Sequence, residues 1–208
     1  MKYHEKLMIF AILLGAVATA SGAGRSYAMD EHHHHHHAMS QPDAGYQRSA
    51  ASYSIPDVSL VDMDGKPVSL RDGLGGDEPV LLNFIFTSCT AICPAMSATF
   101  MQVQEKLGEE IGGVRMVSIS IDPENDTPER LKEYAERFHA GAQWKMLTGS
   151  AEDSIAVQRA FDAYRGGKMN HAPVTFLRAG GADQSWVRLD GLASASDIVD
   201  EYRKLAAH

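Results

Sequence analysis

Pro79-Val80-Leu81-Leu82-Asn83-Phe84-Ile85-Phe86-Thr87-Ser88-Cys89-Thr90-Ala91-Ile92-Cys93-Pro94 passes from a near-continuous apolar run straight into two cysteines. A run of this length, apolar at almost every position, fits a central strand covered on both faces. From Pro94 to Leu107 the period changes: Met96, Phe100, Val103 and Leu107 recur at helical spacing. Pro94 suits a first helical turn, where its missing N–H has no intrahelical partner. The cysteines therefore fall where a buried strand hands over to a helix. Backbone N–H groups and the helix dipole favour an anion there, which lowers a thiol's pKa. If the first turn includes both cysteines, their i, i+4 spacing puts the two sulfurs on one face.

Working outward, Val114 to Ile121 reads as a second central strand, and Asp126-Thr127-Pro128-Glu129 as a helix start with a cap and a first-turn proline. A third helix is expected over Ser150 to Tyr164, followed by a glycine-containing loop from Arg165 to Asn170. Val174–Arg178 and Ser185–Asp190 read as strands joined through Ala179-Gly180-Gly181, and Ser196–Ala206 as a final helix. Upstream, Val58–Asp62 and Pro67–Leu70 alternate on either side of Asp64-Gly65, a favoured hairpin turn. The order hairpin, β, α, β, α, α, β, β, α predicts an α/β fold of thioredoxin-like type. Its central mixed sheet is flanked by helices, with an N-terminal β-hairpin and an insertion before the last hairpin.

The first residues read as an address. Lys2 and Lys6 precede an apolar run from Leu7 to Ala20, and Ser26-Tyr27-Ala28 fits a small-residue cleavage site. Residues 1–28 are thus expected to be a secretory signal peptide, which makes the protein exported or periplasmic. An uncleaved segment would instead tether it to the outer face of the inner membrane, the one route to membrane association. No cysteine directly follows the apolar run, which argues against a lipid anchor. Residues 29–40 contain His32 to His37 and read as an engineered His-tag segment. Gln41 to Ser54 is polar and small, a flexible lead-in. Residues 55–208 are expected to form the domain.

A body of about 165 residues suits one ordinary core. The formal charge is −8, without a basic stripe, which argues against a nucleic-acid partner. Cysteine occurs only at positions 89 and 93. A bond between residues four apart would constrain little of the unfolded chain, so a purely stabilising disulfide is a poor explanation for the pair. Cys-x-x-x-Cys is one residue longer than the thioredoxin motif. A structural zinc site needs four ligands, more than two thiols and one free imidazole supply. Two thiolates with one imidazole suit Cu(I).

That imidazole is His171, just before Pro173 and the strand from Val174. In a thioredoxin-like arrangement its loop lies beside the cysteines; the competing reading is a surface histidine bonded within its own loop. His139 falls at an exposed helix end, and His208 is terminal. Met96 and Met101 are soft donors that read equally as core filler. Thioredoxin-like proteins often carry a cis-proline at the place of Pro173, and the sequence leaves cis and trans open.

Asn83 to Pro94, together with Ser118-Ile119-Ser120-Ile121-Asp122-Pro123-Glu124-Asn125-Asp126-Thr127-Pro128, resembles the Sco/SenC family, with Leu147-Thr148-Gly149 and the His171 loop in the expected order. The likeness runs from about Ile55 to Tyr202. It implies a thioredoxin-like copper metallochaperone that binds copper through Cys89, Cys93 and His171 at the outer face of an energy-transducing membrane. It also implies a role in assembling the copper centre of cytochrome c oxidase subunit II, or service to another exported copper or thiol protein. Many members carry Pro-Asp-Val or Pro-Asp-Ile between the cysteines, where this chain has Thr90-Ala91-Ile92. Asp commonly precedes and Ser follows the histidine, where this chain has Asn170 and Ala172. The main alternative is a thiol-disulfide oxidoreductase using Cys89 and Cys93 as its redox pair on exported partners. A peroxidase of peroxiredoxin type would place threonine three residues before the reactive cysteine, and position 86 is Phe.

Overall fold

The computed structural model describes residues 45–181 and 185–207. The expected signal peptide, the tag segment, residues 41–44 and His208 lie outside the described residues. The strands are β1 (Tyr46–Ser52), β2 (Ser59–Asp62), β3 (Pro67–Ser69), β4 (Val80–Ile85), β5 (Arg115–Ser120), β6 (Trp144–Thr148), β7 (Val174–Arg178) and β8 (Ser185–Gly191). The helices are α1 (Leu70–Leu74), α2 (Ile92–Leu107), α3 (Pro128–Arg137), α4 (Ala151–Ala160) and α5 (Ala195–Ala206).

All the described strands join one sheet in the order β1-β8-β7-β4-β5-β6-β2-β3. β4, β5 and β6 run parallel, and β7 closes on β4 antiparallel, with Asn83 opposite Thr175. Every residue of β4 is buried, as its unbroken apolar run predicts for a strand with both faces covered. Alternation then divides its side chains. Leu81 and Ile85 join a core containing Phe100 and Val103 of α2, Leu131 of α3 and Ile198 of α5. Val80, Leu82 and Phe84 join a second core with Leu70 and Leu74 of α1, Val157 of α4 and Phe161. The architecture is thioredoxin-like, and the N-terminal β2–β3 hairpin turns at Gly65 (φ 78°) as Asp64-Gly65 predicts.

Two strands escape the sequence pattern. Residues 41–54, expected to be a flexible lead-in, instead supply β1, which pairs with β8 from Tyr46–Gly191 to Ser52–Ser185. The reason is that an edge strand is held by its backbone ladder and needs no apolar alternation; most of β1 is exposed. Arg48 further ties it to the buried Glu201 carboxylate at 2.7 Å. Gly191, at φ 115°, gives β1 its seat: a Cβ there would stand 2.5 Å from the Gly45 carbonyl oxygen. The other addition is β6, which pairs with β5 and buries Trp144 and Met146. The third helix ends at Ala160, four residues before the expected Tyr164. No described peptide bond is cis, the one preceding Pro173 included.

Candidate thiol and metal site

β4 ends at Ile85 and aims the following loop at the start of α2. Asp126, wholly buried, fixes that loop from the side. Its carboxylate accepts the Thr87 amide at 3.1 Å and hydroxyl at 2.6 Å, and the Ser120 hydroxyl at 2.6 Å. The Cys89 N–H then donates to the Phe86 carbonyl at 3.2 Å, closing the turn.

Helix α2 begins only at Ile92, so Cys93 lies in its first turn while Cys89 stays in the loop before it. The conditional picture of both thiols on one helical face is therefore replaced by a different contact. Among the described residues the other four α-helices each have a Ser or Thr oxygen at the N-cap: Ser69, Thr127, Ser150 and Ser194. At α2 the N-cap is Ala91, with no side-chain cap. Cys89 takes that place, its Sγ accepting the Cys93 N–H at 3.4 Å. A sulfur in the cap position meets the amide donors that a helix leaves unpaired.

The two thiols are consequently unlike. Burial pushes the Cys89 pKa up, but the amides of Cys93, Ala91 and Ile92 and the Cys93 thiol bring it below the ordinary thiol value. Cys93 has no exposed surface. Burial, with the Cys89 sulfur and the Asp126 carboxylate adding to it, pushes its pKa up to about 12. Cys89 is the accessible, readily ionised thiol and Cys93 the buried, protonated one.

His171 follows a short 3₁₀ turn, Lys168–Asn170. Two anchors hold the turn: Lys168 Nζ bonds the Asp122 carboxylate, and the His171 N–H donates to the Lys168 carbonyl at 3.2 Å. The imidazole is buried, its Nε2–H facing the Phe84 carbonyl at 3.1 Å. Burial lowers its pKa, with the Phe84 bond opposing, so the ring is neutral and fit to act as a ligand. His171 and Cys89 line one cleft of about 260 Å³, together with Phe86, Ser88, Lys168 and Met169. Among the described residues no three His, Cys, Asp or Glu side chains converge closely enough to hold a metal ion. Cys89 and Cys93 are thus in contact, and His171 shares the cleft with its Nε2 turned to the backbone. Met96 is buried and Met101 packs against the first core, neither on the cleft wall. His139 is exposed beyond α3.

Residues 47–206 match the profile of the SCO1/SenC family. The chain belongs to that family. The SCO1 protein homolog of Bacillus subtilis is 40% identical over 105 residues, covering 50% of this chain and 53% of the relative. The chain thus spans about half the length of that curated relative. Among solved structures, BsSco, a member of the Sco family of cytochrome c oxidase assembly proteins in which a disulfide switch was identified, superposes with a TM-score of 0.64 at 30% identity. That match covers 76% of this chain and 96% of BsSco. Arabidopsis thaliana ScoI, solved with copper bound, gives a TM-score of 0.61 at 28% identity, covering 74% of this chain and 98% of ScoI.

Set in this SCO1/SenC fold, the sequence motif around Asp122 acquires a role that its local pattern did not reveal. Asp126 braces the cysteine loop and Asp122 braces the histidine loop through Lys168, so one turn between β5 and α3 serves both. The sequence offered a helix start at Asp126-Thr127-Pro128-Glu129 and the Sco/SenC-like stretch from Ser118 to Pro128, and neither ties these carboxylates to Thr87 or Lys168. The expected place of the His171 loop beside the cysteines brings Lys168 and Met169 near Cys89, but no local pattern singles out either residue.

Proposed function

We propose that this chain is an exported copper-binding metallochaperone, holding copper through Cys89, Cys93 and His171 and assisting assembly of the copper centre in cytochrome c oxidase subunit II. One observation carries the reading: an accessible, easily ionised Cys89 sits at the mouth of a cleft shared with a neutral His171, with the Cys93 thiol directly behind it. Two soft sulfurs and an imidazole form a low-coordinate set matched to Cu(I). The likeness to a relative solved with copper bound supports the choice of metal.

Each residue has a separate task. Cys89 meets the incoming ion first, because Cys93 is fully covered. Cys93 binds as its proton leaves, so uptake releases acid. His171 completes the set by turning Nε2 away from the Phe84 carbonyl, which gives up a hydrogen bond of about 1 kcal/mol. The test is copper binding by Cys89→Ala, Cys93→Ala and His171→Ala in the reduced protein, against the Cys89→Ser/Cys93→Ser double variant as the background of the histidine run. Loss in all three supports the assignment; undiminished binding in all three refutes it.

A thiol-disulfide oxidoreductase is favoured by a different observation, the contrast between an activated Cys89 and a protonated Cys93. That pairing suits attack by one thiol and resolution by the other. Catalytic reduction of a partner disulfide without copper, at a rate needing both cysteines, would establish this reading instead.

A further inference from the structure

Met169 is 82% exposed, and Met169 and Leu192 are the two large apolar side chains left exposed among the described residues. Single apolar residues on a surface are ordinary. Met169 differs in its position, on the wall of the cleft that Cys89 and His171 line. Its neighbours explain why it stays there. Lys168 is pinned inward by Asp122, and His171 is buried against the Phe84 carbonyl. The residue one step beyond Lys168 in the 3₁₀ turn is thereby left at the cleft mouth, exposed to water. An exposed methionine gains little of the stabilisation that burying its side chain would provide. What it does supply is a thioether, a soft, uncharged donor suited to Cu(I) and indifferent to pH.

We propose that Met169 is a Cu(I) ligand at the entrance of the site, where its sulfur and Cys89 receive the ion before it reaches Cys93. This rests on the copper reading above. The step is ligand exchange with no change of oxidation state: a Cu(I)–thioether bond forms as a bond to the donor breaks. As Cys93 gives up its proton to water and binds, the thioether stays on as the outermost ligand, the one that a recipient displaces. Cys93 has no exposed surface, so transfer in either direction passes the cleft mouth that Met169 borders.

The test uses the full reduced chain labelled with carbon-13 at its methionine methyl groups. Met169→Leu identifies the Met169 resonance by deleting it, and the substitution sits on an exposed side chain, so folding is preserved. One equivalent of Cu(I) is expected to shift that resonance, and to leave it unmoved in Cys89→Ser/Cys93→Ser. In competition with a Cu(I) chelator, Met169→Leu is expected to hold the ion about tenfold less tightly. Full uptake with an unmoved Met169 methyl, or with equal competition by the two proteins, overturns the role of Met169 alone. Uptake no greater than that of the double cysteine variant overturns the copper reading with it.

Discussion

At their C-terminal ends, β4 and β5 release into the loops that carry Cys89 and Asp126; at their N-terminal ends, the same sheet borders a larger hollow. That hollow, about 630 Å³ against 260 Å³ for the cysteine cleft, is lined by Asp62, Val68, Glu78, Arg115 and Lys145 among others. Its arginine is held in place by its neighbours. Arg115 donates to the carbonyls of Asp72, Gly73 and Gly75 and forms an ion pair with Glu78 at 2.7 Å. No cysteine, histidine or methionine lines that wall. The smaller cleft instead joins a thiol, an imidazole and a thioether, at the strand ends where open α/β sheets bind their ligands. Volume therefore says less about the working end than donor chemistry does. The larger hollow is a place where the fold is held together, and the smaller one gathers the donors on which the copper proposal rests.

The largest effect separating the two ends should come from Cys89→Ala or Cys93→Ala. Each is expected to abolish copper uptake above the background of the histidine run, whereas Arg115→Met leaves uptake unchanged; metal analysis after gel filtration reads both. Equal losses from both ends would dissolve the contrast. Next, Asp126→Ala strands the Thr87 amide and the Thr87 and Ser120 hydroxyls, with an expected cost of about 3 kcal/mol in urea unfolding. Copper affinity should fall with it, because the cysteine loop loses its brace. Arg115→Met should cost less, about 1–2 kcal/mol, since its partners lie near solvent and water can replace the guanidinium.

A finer effect concerns pH. Alkylation of the apo protein should modify Cys89 first, its rate rising with pH through a midpoint below that of an ordinary thiol. Cys93 should resist until the chain unfolds. For Cys93 the sign of the stability dependence follows from its raised value of about 12. Folded chains keep a proton that unfolded chains lose, so this contribution is fully present below the unfolded thiol pKa and declines as pH rises toward the folded value. Equal alkylation rates for the two thiols would remove the asymmetry.

The sequence was most legible where local pattern and tertiary role agree. β4 is buried on both faces and reads as an apolar run; Thr127 and Pro128 open α3 by their own local chemistry. Cys89 and Cys93 stood out for the same reason, by position at a strand-to-helix junction. β1 was lost because its stability comes from pairing with β8 over 130 residues away, and its exposed side chains carry no period. β6 was lost because five residues between two helices are too short to show alternation. The braces were hidden for a related reason. Asp126 meets Thr87 across 39 positions and Lys168 meets Asp122 across 46, and neither distance leaves a trace in local composition.

The claim that the thiol pair and His171 bind copper is tested most directly by stoichiometry on one protein in two redox states. Reduced full chain, corrected for the Cys89→Ser/Cys93→Ser background, should hold one Cu(I), and the same chain oxidised to a Cys89–Cys93 disulfide should hold none. Equal copper in the two states, or none in either, would contradict the account.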